Sequence, residues 1–226
     1  MTKTLLLLPG DGIGPEVIAQ VSRVIHALQL NCGLDLNFEP ALFGGACLDV
    51  HNVPITEETV QRALAVDAVL MGAVGGPRWA GTARNLRPEA GLLRLRKEME
   101  VFANLRPAVC FGALADASSL RREVVEGLDI MIVRELTGGV YFGTPRGTET
   151  LPDGQRRGFD TQVYTTSEIE RVARVAFELA RNRSNRVTSA EKSNVMESGL
   201  LWREVVTALH AAEYGDVSLE HMLADN

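Results

Sequence analysis

The chain has 226 residues, of which 46% are hydrophobic and 23% are charged, and its formal net charge is −6. This is the composition of an ordinary globular protein, long enough for one large domain or two small ones. The negative charge and the lack of any lysine- or arginine-rich block argue against nucleic-acid binding. The apolar run near the N-terminus is too short for a signal peptide or a membrane span.

Strand and helix signals alternate along the first half of the chain. Thr4–Leu8 predicts a buried strand, and Pro15 suits the first position of a helix that runs to about Leu30. This alternation is typical of an α/β protein with a mainly parallel sheet covered by helices. The later segments of this half are an extended stretch Leu34–Phe43, a helix from Thr56, a strand Asp67–Gly72, a loop Gly75–Glu89 and a short helix Gly91–Met99.

The second half repeats the alternation, so we place a first domain at residues 1–104 and a second at 105–226. An Asp-Gly turn signal between extended flanks predicts a protruding hairpin near residues 143–165. Ser167 is the expected cap of a helix with a clear apolar face. A strand Asn185–Ala190, a helix Met196–Ala212 and a strand Asp216–Leu219 follow.

The cysteines, Cys32, Cys47 and Cys110, are odd in number and have no CxxC spacing. Neither a disulfide framework nor a zinc site is therefore indicated. We expect three buried free thiols in a reducing cytoplasm.

The most informative stretch is Arg134–Gly143, which places a fixed cation, a phenol and a pair of glycines within a few residues. It directly follows Ile130–Val133, an apolar run typical of a buried strand. A charge at the end of a buried strand costs desolvation free energy unless an anion pairs with it. Tyr141 follows past a turn and can face the same space as Arg134. The stretch predicts a pocket that binds a carboxylate beside a proton donor.

Two further arginines, Arg96 and Arg106, lie at or near the ends of apolar segments. Arg106 stands between Leu105 and Pro107, where a solvated charge would be unusual. Together with Arg134 they would suit a substrate with two carboxylates, because each guanidinium can bind one carboxylate through two hydrogen bonds. Spacing alone leaves open that all three are scattered surface residues.

Other candidate site residues are weaker when taken singly. The turn Gly10–Pro15 departs from the G-x-G-x-x-G dinucleotide pattern, and it is either a structural turn or a place of close ligand approach. Lys192 ends a predicted strand, where it either points into a ligand crevice or is a solvated loop lysine. Asp225 is a lone carboxylate, and the adjacent Glu220 and His221 are poor chelating partners.

Several long motifs, in order, resemble the β-decarboxylating isocitrate/isopropylmalate dehydrogenase family, and most closely its members that act on 3-isopropylmalate. The resemblance runs from Leu6 almost to the last residue. Its motifs are Leu6–Val17, Gly72–Pro77, Arg87–Lys97, Phe102–Pro107, Arg134–Gly143 and Glu191–Met196.

The resemblance implies an open α/β sheet with a second α/β domain, an NAD site that is not a Rossmann motif, and a divalent metal, Mg²⁺ or Mn²⁺. It implies that Tyr141 and Lys192 carry the proton chemistry and that Asp225 helps to bind the metal. Leu92 and Leu93 offer an apolar wall suited to an isopropyl group, which favours isopropylmalate over isocitrate. The remaining residues it assigns are Arg96, Arg106 and Arg134 for the substrate carboxylates, and Ile13, Gly76, Glu89 and Asn194 for the cofactor.

The expected activity is NAD-dependent oxidative decarboxylation of 3-isopropylmalate in leucine biosynthesis, in the cytoplasm. The family is dimeric, with the residues matching Lys192 and Asp225 reaching the partner's pocket, so we expect a homodimer with shared sites in which the 143–165 hairpin forms an arm. Family members continue beyond this length, so we also expect a truncated chain whose C-terminal part is missing and which is inactive alone. The alternatives are a tartrate/malate or homoisocitrate dehydrogenase, or an inert fragment.

Overall fold

In the computed structural model, which describes residues 2–226, strands and helices alternate along the chain, and the α/β class is confirmed. The chain forms two compact units, Met1–Glu100 (unit 1) and Val101–Asn226 (unit 2). The predicted division between residues 104 and 105 falls inside a strand that begins at Ala103. As a domain boundary it stays a prediction.

Unit 1 contains a parallel sheet with helices. Its elements are β1 (Lys3–Gly10), α1 (Gly14–Cys32), β2 (Leu36–Pro40), α2 (Gly45–His51), α3 (Glu57–Ala65), β3 (Ala68–Ala73) and α4 (Pro88–Glu98).

The apolar run near the N-terminus forms the central strand of unit 1, as predicted. β1 lies between β2 and β3 and is parallel to both. Leu6 and Leu8 are 0% exposed and pack with Phe43 in the unit's core. A strand with neighbours on both edges and helices nearby is buried on both faces, which explains a continuous run of leucines rather than alternation. Helix α1 begins at Gly14, so Pro15 lies in its first turn, one position later than predicted.

Unit 2 has more varied strand pairing. Its elements are β4 (Ala103–Val109), α5 (Arg122–Val125), β5 (Asp129–Glu135), β6 (Gly147–Thr150), β7 (Arg156–Phe159), α6 (Thr166–Arg181), β8 (Arg186–Glu191), α7 (Glu197–Glu213) and β9 (Ser218–Leu223).

The expectation of a mainly parallel sheet does not extend to unit 2. β8 and β9 are parallel, but β4 and β5 are antiparallel, and β6 and β7 form an antiparallel hairpin. The prediction that Ile130–Val133 is buried is also wrong in part, because Ile130 and Ile132 are 48% and 51% exposed. Ile130 and Ile132 alternate along β5 with the less exposed Met131 and Val133, so they share the face of the strand that is more open to solvent.

Helix α6 begins two residues earlier than the sequence suggested. Its cap is Thr165, not Ser167, and Thr165 forms a capping box with Glu168. The Thr165 hydroxyl accepts from the Glu168 backbone N–H, and the Glu168 carboxylate accepts from the Thr165 N–H, so two otherwise unpaired donors are satisfied together. The apolar face of α6 then packs on α7 through Ile169 and Phe177, both 0% exposed.

The expectation of three buried thiols holds for one cysteine. Cys47 is buried, Cys110 is partly exposed and Cys32 is exposed near the end of α1, and all three are free. Within residues 2–226, no helix is both long and apolar enough to cross a membrane.

Candidate functional site

Arg134 and Tyr141 meet across the turn that follows β5. The Arg134 guanidinium lies 5.2 Å from the centre of the Tyr141 ring, which is the geometry of a cation–π contact. Tyr141 is 49% exposed on a short 3-10 turn that starts at Gly139. Gly139 has φ +76°, a left-handed conformation that glycine adopts without steric cost, so the glycine pair is what lets the chain turn back here. The predicted proximity of cation and phenol is present.

Arg106 lies on the same face of the β4–β5 pair as Arg134. The antiparallel register sets Arg106 opposite Ile132 and Asn104 opposite Arg134, and alternate residues of a strand share a face. Arg106 is exposed, with its Nε donating to Asn104 Oδ1 at 2.6 Å, so the expectation that it avoids solvent is wrong. Arg106 and Arg134, two of the three predicted arginines, thus place their positive charges on the same face of the β4–β5 pair.

Lys192 and Asp225 are brought together by the parallel pairing of β8 and β9. The pairing sets Glu191 opposite Leu223, so the residues just past these two strand ends lie side by side. The Lys192 ammonium donates to the Asp225 carboxylate. This hydrogen bond, the largest contribution, lowers the pKa of the Asp225 carboxyl below its usual value. Spacing had indicated no such pair.

Arg134 and Lys192 line one cavity of about 380 Å³ inside unit 2. Tyr164 and Trp202 form part of its wall and meet edge to face, with ring centres 5.3 Å apart. Burial chiefly raises the pKa of the Tyr164 phenol; the nearby Glu135 carboxylate adds to this and Arg134 opposes it. The cavity therefore combines two cations, Arg134 and Lys192, with two carboxylates, Glu135 and Glu191, and with aromatic surface.

The loop after β8 holds Lys192 against the start of α7. A Cβ on Gly199 would lie 2.6 Å from the Lys192 carbonyl carbon, so only glycine allows this approach. The Met196 N–H donates to the Lys192 carbonyl at 2.9 Å. Asn194, assigned to the cofactor by resemblance, is exposed in the same loop.

The candidate metal site is incomplete within residues 2–226. No group of three or more His, Cys, Asp or Glu side chains in that range is arranged to hold an ion. Asp225 supplies a single carboxylate, already bonded to Lys192, whereas Mg²⁺ favours near-octahedral oxygen coordination. These donors do not fit a divalent ion by themselves.

Three of the predicted cofactor residues lie in unit 1. Gly76 and Glu89 line a cavity of about 330 Å³ together with Trp79 and Arg87. Neighbouring Gly75 has φ +90°, and a Cβ there would lie 2.4 Å from Glu89 Oε1, so the glycine lets the Glu89 carboxylate approach the backbone closely. Ile13, 59% exposed, stands at the start of α1.

The predicted apolar wall and the third arginine are on α4. Leu92 and Arg96 are four residues apart and share a helical face. Leu92 is partly buried against the unit 1 core, and Leu93 is partly exposed. Leu92 therefore supports the core as well as any substrate contact.

Sequence reasoning missed three buried carboxylates. Asp11 is 3% exposed and accepts backbone N–H groups of Gly45, Ala46 and Gly75, each at 2.8 Å. It ties the first glycine turn to α2 and to the loop after β3. The only available signal was its position inside a glycine turn, where a carboxylate lies near free backbone amides.

The other two missed carboxylates, Glu135 and Glu191, end β5 and β8 directly beside Arg134 and Lys192. Their side chains are 1% and 2% exposed. Burial raises the pKa of the Glu191 carboxyl, but the hydrogen bonds from Ser193 and the charge of Arg203 outweigh it, so that pKa lies below its usual value. In the sequence, Arg134 and Lys192 were the candidate cations, whereas nothing distinguished Glu135 and Glu191 from other residues at strand ends.

Comparison with known proteins adds a family to this geometry. Residues 4–226 match the family described as isocitrate/isopropylmalate dehydrogenase. A 3-isopropylmalate dehydrogenase from Caulobacter vibrioides is 72% identical over 99% of the chain, and one from Gluconobacter oxydans is 63% identical over 98%. The chain spans only 63% and 60% of the lengths of these two relatives.

Solved structures agree on the fold. An isocitrate dehydrogenase from Methylococcus capsulatus superposes with a TM-score of 0.80 at 25% identity, covering all of this chain and 61% of that one. A β-decarboxylating dehydrogenase from Thermococcus kodakarensis superposes with a TM-score of 0.69 at 30% identity, covering all of this chain and 58% of that one.

Proposed function

Because the chain belongs to the isocitrate/isopropylmalate dehydrogenase family, we propose that it serves in the NAD-dependent oxidative decarboxylation of 3-isopropylmalate to 4-methyl-2-oxopentanoate, a step of leucine biosynthesis. The observation that carries the proposal is the high identity to enzymes of that name, 72% in the first case, over nearly the whole chain. Within unit 2, the placement of Arg106, Arg134 and Tyr141 supports it.

The substrate would be bound through its carboxylates. Arg106 and Arg134 project from one face of β4–β5, and each guanidinium fork can bind a carboxylate through two hydrogen bonds. In unit 1, we propose Arg96 as a further carboxylate-binding cation, and Leu92 and Leu93 as the apolar surface for the isopropyl group. An isocitrate, whose corresponding group is a carboxylate, would be disfavoured on an apolar wall because its charge would lose hydration.

Two proton transfers would be carried by this chain's own residues. Lys192 Nζ accepts the proton of the C2 hydroxyl as hydride leaves that carbon. After loss of the β-carboxylate as CO₂, the Tyr141 phenol protonates the resulting enol at carbon. The Arg134 guanidinium above the Tyr141 ring stabilises the phenolate that this transfer produces.

The ion pair between Lys192 and Asp225 bears on the first of these steps. A lysine that donates to a carboxylate holds its proton, so the base role requires Asp225 to release Lys192. We propose that Asp225 turns to the divalent metal, Mg²⁺ or Mn²⁺, when the complete site is assembled. The carboxylates within residues 2–226 do not complete that site, so we propose that the 226-residue chain alone is inactive.

The cofactor is proposed to be NAD, which when bound accepts the hydride. Ile13, Gly76 and Glu89 of unit 1 would hold it, and Asn194 of unit 2 is proposed as a separate cofactor contact. We also propose a homodimer with shared sites, in which Lys192 and Asp225 serve the partner's pocket and β6–β7 forms an arm, and a cytoplasmic location.

A chimera provides the test. This chain would replace the matched segment of the Caulobacter vibrioides relative, and NADH formation would be measured with 3-isopropylmalate, malate, homoisocitrate and isocitrate in the presence of Mn²⁺. We expect 3-isopropylmalate to be the strongly preferred substrate. Comparable rates with malate would contradict the assignment.

Variants of the chimera test the roles. We expect Lys192→Met and Tyr141→Phe each to lower kcat by about 10²–10⁴-fold, the range for losing a general acid or base. The matched control Lys3→Met, at an exposed lysine that pairs with Asp67, should leave kcat unchanged. NADH formation by the unmodified 226-residue chain would contradict the proposal that further metal ligands are needed.

A further inference from the structure

Glu135 has surroundings that a simple structural acid would not need. Its side chain is 1% exposed at the end of β5, next to Arg134. A buried carboxylate is costly unless it is paired and hydrogen-bonded. Here three donors converge on it, namely the Gly138 N–H at 2.5 Å, the Thr137 hydroxyl at 3.1 Å and the Arg171 guanidinium at 2.8 Å.

Arg171 comes from α6 and completes the anchor. It donates to the Thr137 hydroxyl at 2.7 Å as well as to Glu135, and its guanidinium lies 4.8 Å from the centre of the Phe102 ring. These contacts hold the cation against an aromatic ring. The carboxylate between the strand and the turn is therefore itself held in position by a helix.

The anchored turn leads directly to Tyr141. Glu135 binds the Gly138 N–H, and the next amide, that of Gly139, donates to the Val163 carbonyl at 2.9 Å. A Cβ on Gly139 would lie 2.4 Å from the Tyr164 hydroxyl, so the turn is also packed from that side. Two residues later, Tyr141 stands beneath the Arg134 guanidinium.

We propose that Glu135 is a positioning residue: its buried carboxylate, held by Arg171, fixes the Gly138–Tyr141 turn and so sets where the Tyr141 phenol stands relative to the Arg134 guanidinium. The role of Tyr141 rests on the proposed function. The geometric claim does not depend on it.

The same arrangement recurs at the end of β8. Glu191, 2% exposed, accepts from the Ser193 N–H at 2.6 Å and from Arg203 of α7 at 3.3 Å. It directly precedes Lys192, as Glu135 directly follows Arg134. Arg134 and Lys192, the two cations that line the unit 2 cavity, thus each have a strand-end carboxylate as a neighbour in the chain. In both cases that carboxylate holds the following turn and pairs with an arginine from the next helix.

NMR of the 226-residue chain with isotope-labelled arginine tests the proposal without substrate or cofactor. The Arg134 signals are identified by their loss in Arg134→Lys, and the ring-current shift from Tyr141 is defined by its loss in Tyr141→Leu. We expect Glu135→Ala to move the Arg134 signals toward their Tyr141→Leu positions, and Arg171→Met to move them in the same direction. The matched control is Glu213→Ala, which removes an exposed carboxylate paired with another arginine of α6, Arg174; it should leave them in place.

Folded Glu135→Ala with unchanged Arg134 signals would overturn the proposal. If Glu135→Ala does not fold, Glu135→Gln, which keeps the size and one acceptor, takes its place, and unchanged Arg134 signals in that variant and in Arg171→Met would overturn it equally. In the chimera, Glu135→Gln should lower kcat by up to about 100-fold, the cost of misplacing a reacting group by about 1 Å, with a smaller change in KM. If the chimera shows no turnover but the Arg134 signals shift as expected, the proposed function is rejected and the positioning role of Glu135 stands.

Discussion

The pKa of His221 in unit 2 is set by the contacts of its imidazole ring. His221 on β9 has Nε2 at 3.0 Å from the Thr207 hydroxyl and Nδ1 at 3.9 Å from the Glu191 carboxylate. Burial is the main cause that lowers the His221 pKa, and Arg203 and His210 lower it further, while Glu191 opposes them. Burial and the neighbouring cations therefore outweigh one buried anion.

His221 should make unit 2 less stable in acid. Its pKa in the folded chain lies below the value of about 6.5 expected when unfolded, so the unfolded chain binds the proton more readily. The stabilisation is present above about pH 6.5 and is lost as the pH falls through the folded-state pKa. The urea midpoint of unfolding is followed by Trp202 fluorescence in a Trp79→Phe background. Between pH 7 and pH 5 we expect this midpoint to fall less in His221→Gln than in the parent chain. The exposed-site control His51→Gln should keep the parental pH dependence; an equal slope in parent and His221→Gln would contradict the assignment.

At the scale of elements, strand ends and helix starts carry the site. β5 and β8 end in carboxylates that hold the turns presenting Tyr141 and Lys192, and α6 begins with a capping box at Thr165. These local devices satisfy backbone donors that would otherwise remain unpaired. They also leave the chain little freedom in the short segments that carry the proposed chemistry.

The capping box makes a direct prediction. Thr165→Ala should destabilise unit 2 by about 1 kcal/mol, because the Glu168 N–H loses its acceptor. Thr166→Ala, an exposed neighbour inside the helix, should change the unfolding free energy by less than about 0.5 kcal/mol. Urea unfolding followed by Trp202 fluorescence measures both. An effect of Thr166→Ala as large as that of Thr165→Ala would show that the cap is not responsible.

At the scale of the whole molecule, each unit has its own hydrophobic core. Leu6, Leu8 and Phe43 are fully buried in unit 1, and Ile169 and Phe177 in unit 2. Large apolar side chains also stand exposed, among them Leu30 at 83% and Phe111 at 68%. Exposure on this scale favours association with other surfaces.

Core truncations should separate buried from exposed positions in both units. Leu8→Ala should cost about 2–5 kcal/mol and Phe177→Ala about 3–5 kcal/mol, because each leaves a cavity in a packed core. Their matched controls, Leu30→Ala and Phe111→Ala, remove the same side chains from exposed sites and should cost under about 1 kcal/mol. Trp79 fluorescence in a Trp202→Phe background reports unit 1, and the converse background reports unit 2. Similar costs at buried and exposed positions would contradict the core assignments.

Local patterns in the sequence predicted the features that depend on neighbours along the chain. The leucine run of β1, the proline start of α1 and the glycine turn before Tyr141 all follow from apolar patterning and backbone preference, which act over a few residues. The family resemblance likewise rests on motifs contained in short segments.

Only the tertiary structure decided which distant groups meet. Arg171 lies 36 residues from Glu135, and the Asp225 carboxylate lies 33 residues from Lys192. Strand register put Arg106 and Arg134 on one face of the β4–β5 pair, and the same face carries the exposed Ile130. Such outcomes depend on register and helix packing, which are set by the whole core and not by any window of sequence. For that reason the sequence predicted the cations Arg134 and Lys192 and the phenol of Tyr141. The buried carboxylates of Glu135 and Glu191, which hold the adjoining turns, became visible only in the fold.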